Sequence, residues 1–246
     1  WAFATAGHEA PELFDAISAE AVRRRLDGFN PQNLANTAWA FATLGRADLE
    51  LLNAISAEAV HRGLVGFNEQ NLSNTVWACA TARYASPELF NAISAEAVRQ
   101  RLGGFTAQAL SNTAWAFATA GHASMALFNA ISAEAVRQGL SGFDAQDLSR
   151  TVWAFATAGH APPELFDAIS AEAVRRRLGD FLTKNLSNAA WAFATAGRND
   201  PELFEAISAE VLHRPFDTFS AQSLSNMAWA FATAGHEAPE LFDAIS

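Results

Sequence analysis

Residues Asn30-Pro31-Gln32-Asn33-Leu34-Ala35-Asn36-Thr37-Ala38-Trp39-Ala40-Phe41-Ala42-Thr43-Leu44-Gly45 carry the start and the stop of one helix. Asn30 is a strong N-cap, because its side-chain oxygen accepts from a free N–H of the first turn. Pro31 follows at the first helical position, where no N–H is needed. Gly45 supplies the left-handed residue that ends a helix. Thr106, Asp144 and Ser220 take the place of Asn30 in other copies of the stretch. Leu182 offers no cap, so that copy is expected to start one residue later, at Thr183. Arg83 replaces the stop glycine once, and that helix end is expected to be looser or strained.

The copies are spaced by tryptophan. Trp1, Trp39, Trp77, Trp115, Trp153, Trp191 and Trp229 each lie 38 residues after the last. The 246 residues therefore form a single array of units 1–38, 39–76, 77–114, 115–152, 153–190 and 191–228, with a partial unit at 229–246 and no insertion. A fixed period of this length marks a tandem repeat. The chain begins at Trp1 with no Met or targeting segment and stops inside a unit, so both ends are expected to be cuts in a longer array.

A second helix follows in each unit. Asp200-Pro201-Glu202 and Ser86-Pro87-Glu88 repeat the cap-then-proline start, and the body runs as in Leu165 to Arg176. Gly63, Gly139 and Pro215 share one position near its end, where a proline means that the helix has stopped. Each unit is thus a helical hairpin that cannot bury its apolar face alone. The fold class is all-α, an α-solenoid of about six and a half stacked hairpins.

Composition narrows the function. Half the residues are hydrophobic and 17% are charged, too apolar for a disordered chain. No apolar run is long enough to span a membrane, so no membrane partner is expected. The one cysteine, Cys79, stands where other units have Phe and reads as core. Lys plus Arg is 16 and Asp plus Glu is 26, and Lys184 is the one lysine. A net charge of −10 counts against salt-driven, non-specific nucleic-acid binding.

On a helical wheel, Leu34, Ala38 and Phe41 share one arc, and Ala35, Trp39 and Ala42 share the adjoining one. Both are read as buried, the tryptophans included. The free arc is then Asn33, Asn36, Thr37, Ala40 and Thr43. His8, His122, His160 and His236 form a column of single histidines about 10 Å apart, whereas metal ligands converge within about 2 Å of one ion. No metal or cofactor is expected. Glu20, Glu58, Glu96, Glu134, Glu172 and Glu210 lie four residues before Arg or Gln, a helix-supporting spacing. No nucleophile–base pair or phosphate loop occurs, so neither catalysis nor a small-molecule substrate is expected.

The free arc varies between units while its flanks hardly change. Its third position reads Asn33, Asn71, Ala109, Asp147, Asn185 and Ser223. The sixth reads Asn36, Asn74, Asn112, Arg150, Asn188 and Asn226, and the seventh Thr37, Thr75, Thr113, Thr151, Ala189 and Met227. Short amides and hydroxyls suit hydrogen bonds to base edges, one unit per base. The alternative is an Asn ladder joining unit to unit, or drift on a solvent face. Arg150 is too large for a buried amide slot and speaks for open space. Arginines at the second-helix end, among them Arg23 to Arg25, Arg99, Arg101, Arg137 and Arg175 to Arg177, suit either phosphate contact or dipole compensation.

The unit resembles the octatricopeptide repeat of algal organelle proteins. Pro31, Gln32, Leu34, Asn36, Trp39, Ala40, Ala42 and Gly45 carry the resemblance, with Pro163, Glu164, Leu165 and Phe166 in the second helix. It is more loosely similar to the helical repeats of mitochondrial RNA-editing substrate-binding subunits and of FAST-kinase-like proteins. The resemblance implies single-stranded RNA binding in a chloroplast or mitochondrion, in transcript processing, stability or translation. The Asn33, Asn36 and Thr37 columns would face the RNA. A second class of function is a protein-binding scaffold whose acidic groove takes a basic protein or peptide.

Overall fold

The computed structural model describes residues 2–5, 7 and 10–245, so Trp1 and His8 lie outside the described residues. Helices α1 (Ala2–Thr5), α3 (Pro31–Thr43), α5 (Glu69–Thr81), α7 (Ala107–Thr119), α9 (Ala145–Thr157), α11 (Thr183–Thr195) and α13 (Ala221–Ala234) are the first helices of their repeats, termed the A row. Helices α2 (Pro11–Arg23), α4 (Leu49–His61), α6 (Pro87–Arg99), α8 (Met125–Gln138), α10 (Pro163–Arg175), α12 (Pro201–Leu212) and α14 (Pro239–Ile245) are the second helices, termed the B row. No strand occurs among the described residues, and no helix is long and apolar enough to cross a membrane. The fold is an α-solenoid of tandem hairpins.

The helices group into two compact units. One holds Trp1–Phe105 with Ala116–Ala130, the other Thr106–Trp115 with Ile131–Ser246. In the first, α3 packs along α5 in the A row, and α4 lies between α2 and α6 in the B row. In the second, α11 lies between α9 and α13, and α12 between α10 and α14. Within the units B-row helices also pack on their own A-row partners, as α4 does on α3 and α12 on α11.

The core between the rows is phenylalanine against phenylalanine. Phe14 meets Phe41 edge-on at 5.1 Å, Phe90 meets Phe117 at 4.9 Å, Phe166 meets Phe193 at 5.1 Å and Phe204 meets Phe231 at 5.0 Å. Each pair joins a B helix to the A helix of the next repeat, a geometry that adds specific stabilisation to the area buried. Cys79 is buried at the phenylalanine position, and burial pushes its thiol up to about 12, which leaves it unreactive.

The end signals work as the sequence implies, with two differences. Helix α11 starts at Thr183 in the register of its neighbours, with Leu182 itself as the N-cap residue. The Asn185 side chain accepts the Leu182 N–H at 2.8 Å, and this half of a capping box holds the start that a cap side chain would hold elsewhere. At the other end Arg83 adopts the left-handed conformation of the glycines it replaces, with φ 55° against 67° at Gly45. That end is strained rather than looser, because the Tyr84 N–H still bonds the Cys79 carbonyl at 2.9 Å. Pro215 stops α12 as expected, and a short 3₁₀ turn, Phe216–Thr218, replaces the left-handed pair seen at Arg177 and Leu178.

Candidate nucleic-acid interface

An A-row helix such as α3 or α11 packs against the A helices before and after it, its own B helix and the B helix of the preceding repeat. Only a narrow strip stays open. In α3 the strip is Gln32, Asn36, Trp39 and Thr43, which are exposed or half-buried and recur at helical spacing on one face. It is rotated by about 60° from the arc that the wheel predicts. Ala35, Ala38, Ala40 and Ala42 are buried, and their small side chains let neighbouring A helices lie close.

This rotation corrects the placement of the tryptophans. Trp39, Trp77, Trp115, Trp153 and Trp191 are half-buried, and Trp229 is 47% exposed. They form tilted ladders along the open strip. Trp39 and Trp77 lie 6.4 Å apart in the first unit, and Trp153, Trp191 and Trp229 follow at 6.3 and 6.4 Å in the second. Surrounding alanines gave them a core signature, but those alanines serve the packing of A helix on A helix.

The three polar columns separate. The third-position column is structural. Asn33 accepts the Asn30 N–H at 3.1 Å while Asn30 accepts the Asn33 N–H at 2.8 Å, and Asn71 with Asn68 and Asp147 with Asp144 repeat the box. Ser223 donates its N–H to the Ser220 hydroxyl at 3.1 Å. Asn71, Asp147, Asn185 and Ser223 are buried. The unit-to-unit ladder runs here: Ser111 donates to Asp147 Oδ1 at 2.6 Å, and Asn185 donates to the Ser149 hydroxyl at 3.0 Å.

The seventh-position column is buried as well, apart from half-buried Thr37. Thr75 and Thr113 donate to the carbonyls of Asn71 and Ala109 at 2.7 Å, one turn back in their own helices. Thr151 is fully buried. These threonines do not line the open strip.

The sixth-position column does line it. Asn36, Asn74, Asn112, Arg150, Asn188 and Asn226 are all half-buried. Arg150 donates to Asn112 Oδ1, and its guanidinium carbon lies 5.8 Å from the Trp115 ring centroid. The second-position column, Gln32, Gln70, Gln108, Gln146, Lys184 and Gln222, is exposed and went unread in the sequence. Its signal was present, since residues 32, 36, 39 and 43 share one face at i, i+4, i+7 and i+11.

In the second unit the strip deepens into a cleft of about 380 Å³ lined by Trp115, Arg150, Trp153, Lys184, Asn185 and Asn188, among others. Burial lowers the Arg150 pKa and raises that of Asp147 beside it.

The acidity of the chain sits elsewhere. Among the described residues of the A-row helices, the acids are Glu69 and Asp147 and the bases Arg150 and Lys184. The open strip is therefore close to neutral. The second-helix arginines are largely engaged in structure. Arg23, Arg99, Arg137 and Arg175 pair with glutamates three residues earlier at 2.6–2.7 Å. Arg176 donates to the Phe143 and Leu140 carbonyls of the preceding repeat at 2.8 and 3.3 Å, and Arg62, Gln100 and Arg214 make equivalent bonds. The residue after the stop glycine also staples repeats. Arg46 pairs with Asp15, Tyr84 bonds Asn53, His122 bonds Asn91 at 2.9 Å and Arg198 pairs with Asp167. His160 and His236 pack on Phe155 and Phe231.

No curated protein sequence matches the chain. The model of the RNA-editing substrate-binding complex 6 protein family matches residues 1–246. That is the second of the repeat classes that the hairpin resembles, and the octatricopeptide likeness rests on the motif alone. The match spans the whole chain, and the protein belongs to the RNA-editing substrate-binding complex 6 family.

Proposed function

We propose that the A-row strip binds single-stranded RNA within an RNA-editing or RNA-processing assembly, as a binding module rather than an enzyme. One observation carries this reading. Each repeat presents Gln, Asn, Trp and Thr, or their local substitutes, on one near-neutral face, and the tryptophans run in ladders along it. Indole faces stack on unpaired bases, and amides pair with their edges. A duplex hides both, so unpaired RNA is the matched ligand. The absence of a charged strip is consistent with binding through stacking and hydrogen bonds more than through counterion release.

Membership of the family brings RNA editing in as the context. Editing complexes of kinetoplastids are mitochondrial, and the mitochondrion is the compartment this reading assigns. The experiment is fluorescence anisotropy of the purified chain with a randomised single-stranded RNA, beside matched DNA and duplex RNA. Saturable binding of the single strand, weakened in Asn74→Ala and Asn188→Ala with helicity intact, supports the reading. Preference for duplex, or affinity unchanged in both variants, contradicts it.

A further inference from the structure

Three departures from the repeat pattern gather at one place. Arg150 is the one charged residue of the sixth-position column, where the other five units have Asn. Lys184 is the chain's one lysine, at a position where the other five have Gln. Leu182 is 69% exposed at a position where the others have a capping Asn, Asp, Ser or Thr. They come from two successive repeats, and all three line the same cleft, together with Trp115 and Trp153. Repeat-to-repeat drift would scatter such departures along the array.

We infer that this cleft is a nucleotide anchor, which seats one nucleotide of a bound single strand and sets the register of the rest. The proposal rests on the RNA reading of the strip. Arg150 and Lys184 are the two bases of the A-row helices, and they supply the two donors that a backbone phosphate needs. Trp153 and Leu182 offer the aromatic and apolar walls for a base, with Asn188 within the same cleft for its polar edge. Arg150 is held in place before any ligand arrives, by the Asn112 side-chain oxygen and by the Trp115 face. The two carboxylates near it, Asp147 and Asp144, are both engaged: buried Asp147 accepts from Ser111 and from the Asp144 N–H, and Asp144 accepts the Asp147 N–H. Neutral repeats of nearly identical sequence would let a strand slide by one unit, and a single cationic cleft removes that degeneracy.

The test uses the double variant Arg150→Asn with Lys184→Gln, which restores at both positions the residues that the other repeats carry and so keeps the fold. The probe is a labelled twelve-nucleotide single-stranded RNA titrated at several salt concentrations. Wild-type chain binds it, and the double variant binds several-fold more weakly. The dependence of log affinity on log salt flattens by about 0.7, since the anchor's one phosphate is left unneutralised and each single-strand phosphate contributes about 0.7 to the slope. A control pair on the B row, Arg99→Gln with Arg175→Gln, leaves that slope unchanged. Wild-type binding with an unaltered slope in the double variant overturns the anchor and leaves the general reading standing. An equal flattening in the control pair overturns the anchor too. No binding by the wild-type chain overturns the general reading, and the anchor with it.

Discussion

Arg150 donates to the side-chain oxygen of Asn112, which holds the same position thirty-eight residues earlier. One side chain of the sixth-position column thus reaches the next across a full repeat. The arginine that argued for open space is itself a rung between units. It still leaves guanidinium N–H groups facing the cleft, because one of its five donors serves Asn112. Asn112→Ala removes the acceptor from a half-buried cation and should destabilise the chain by about 1 kcal/mol, discounted for partial exposure. Denaturant unfolding followed by circular dichroism measures it, and an unchanged midpoint would mean that the bond contributes nothing in solution.

Arg83 holds a left-handed backbone at a position where the other described units have glycine. Arg83→Gly should therefore stabilise the chain by about 1 kcal/mol, since a non-glycine residue in that region costs about 1–2 kcal/mol. Thermal unfolding reads the gain as a higher Tm. A lower Tm would show that the arginine side chain offsets the backbone strain.

Two adjacent arginines should behave differently. Arg176 bonds two carbonyls of the preceding repeat, whereas Arg175 pairs with Glu172 at the surface with two thirds of its side chain exposed. Arg176→Ala leaves those carbonyls short of a donor and should cost about 1–3 kcal/mol. Arg175→Ala should shift the denaturation midpoint little. Equal losses would contradict the assignment of Arg176 as the staple.

The pH dependence has a defined sign at two groups. Arg175 and Arg176 beside Glu172 hold its carboxyl down to about 2. A depressed folded pKa contributes stability above the ordinary value of 4.5 and loses it as pH falls toward 2. Glu172→Gln should thus lower stability at pH 7 and flatten its fall across that acid window. Asp147 is the opposite case, because burial raises its pKa above 3.8. Its ionised form costs stability once pH rises through the folded value. Asp147→Asn keeps the capping oxygen found at Asn71 and Asn185, so it should raise the denaturation midpoint at pH 7 and lose that advantage near pH 3. A midpoint lower at pH 7 would mean that the charge next to Arg150 is favourable overall.

The hairpin, the period and nearly every helix end were legible in the sequence, because caps, prolines and stop glycines are local signals. Asn30, Pro31 and Gly45 act within a few residues of where they stand. The open face was less legible. A wheel shows which residues share an arc, but not that an A helix is flanked on both sides by other A helices. That added packing buries Thr75 and Thr113, turns Asn185 toward Ser149 and leaves Trp39 at the surface. Hydrophobicity alone misassigns the indole, since a large ring on the open side reads like one in the core. Of the three candidate columns that of Asn36, Asn74 and Asn188 stays on the strip throughout, the third-position column reaches it at Asn185 in the cleft, and the glutamine column emerges with the packing.

The tryptophans that define the repeat also report on the central claim, since all six described ones lie on the strip assigned to RNA. Titration of the intact chain with single-stranded RNA, followed by intrinsic tryptophan fluorescence, is the most direct measurement. Bases stacking on the ladder should quench the emission saturably, with the same midpoint as binding measured by anisotropy, and duplex RNA should leave it unchanged. Tight single-strand binding with unaltered tryptophan emission would contradict the account, because the RNA would then be held on another face.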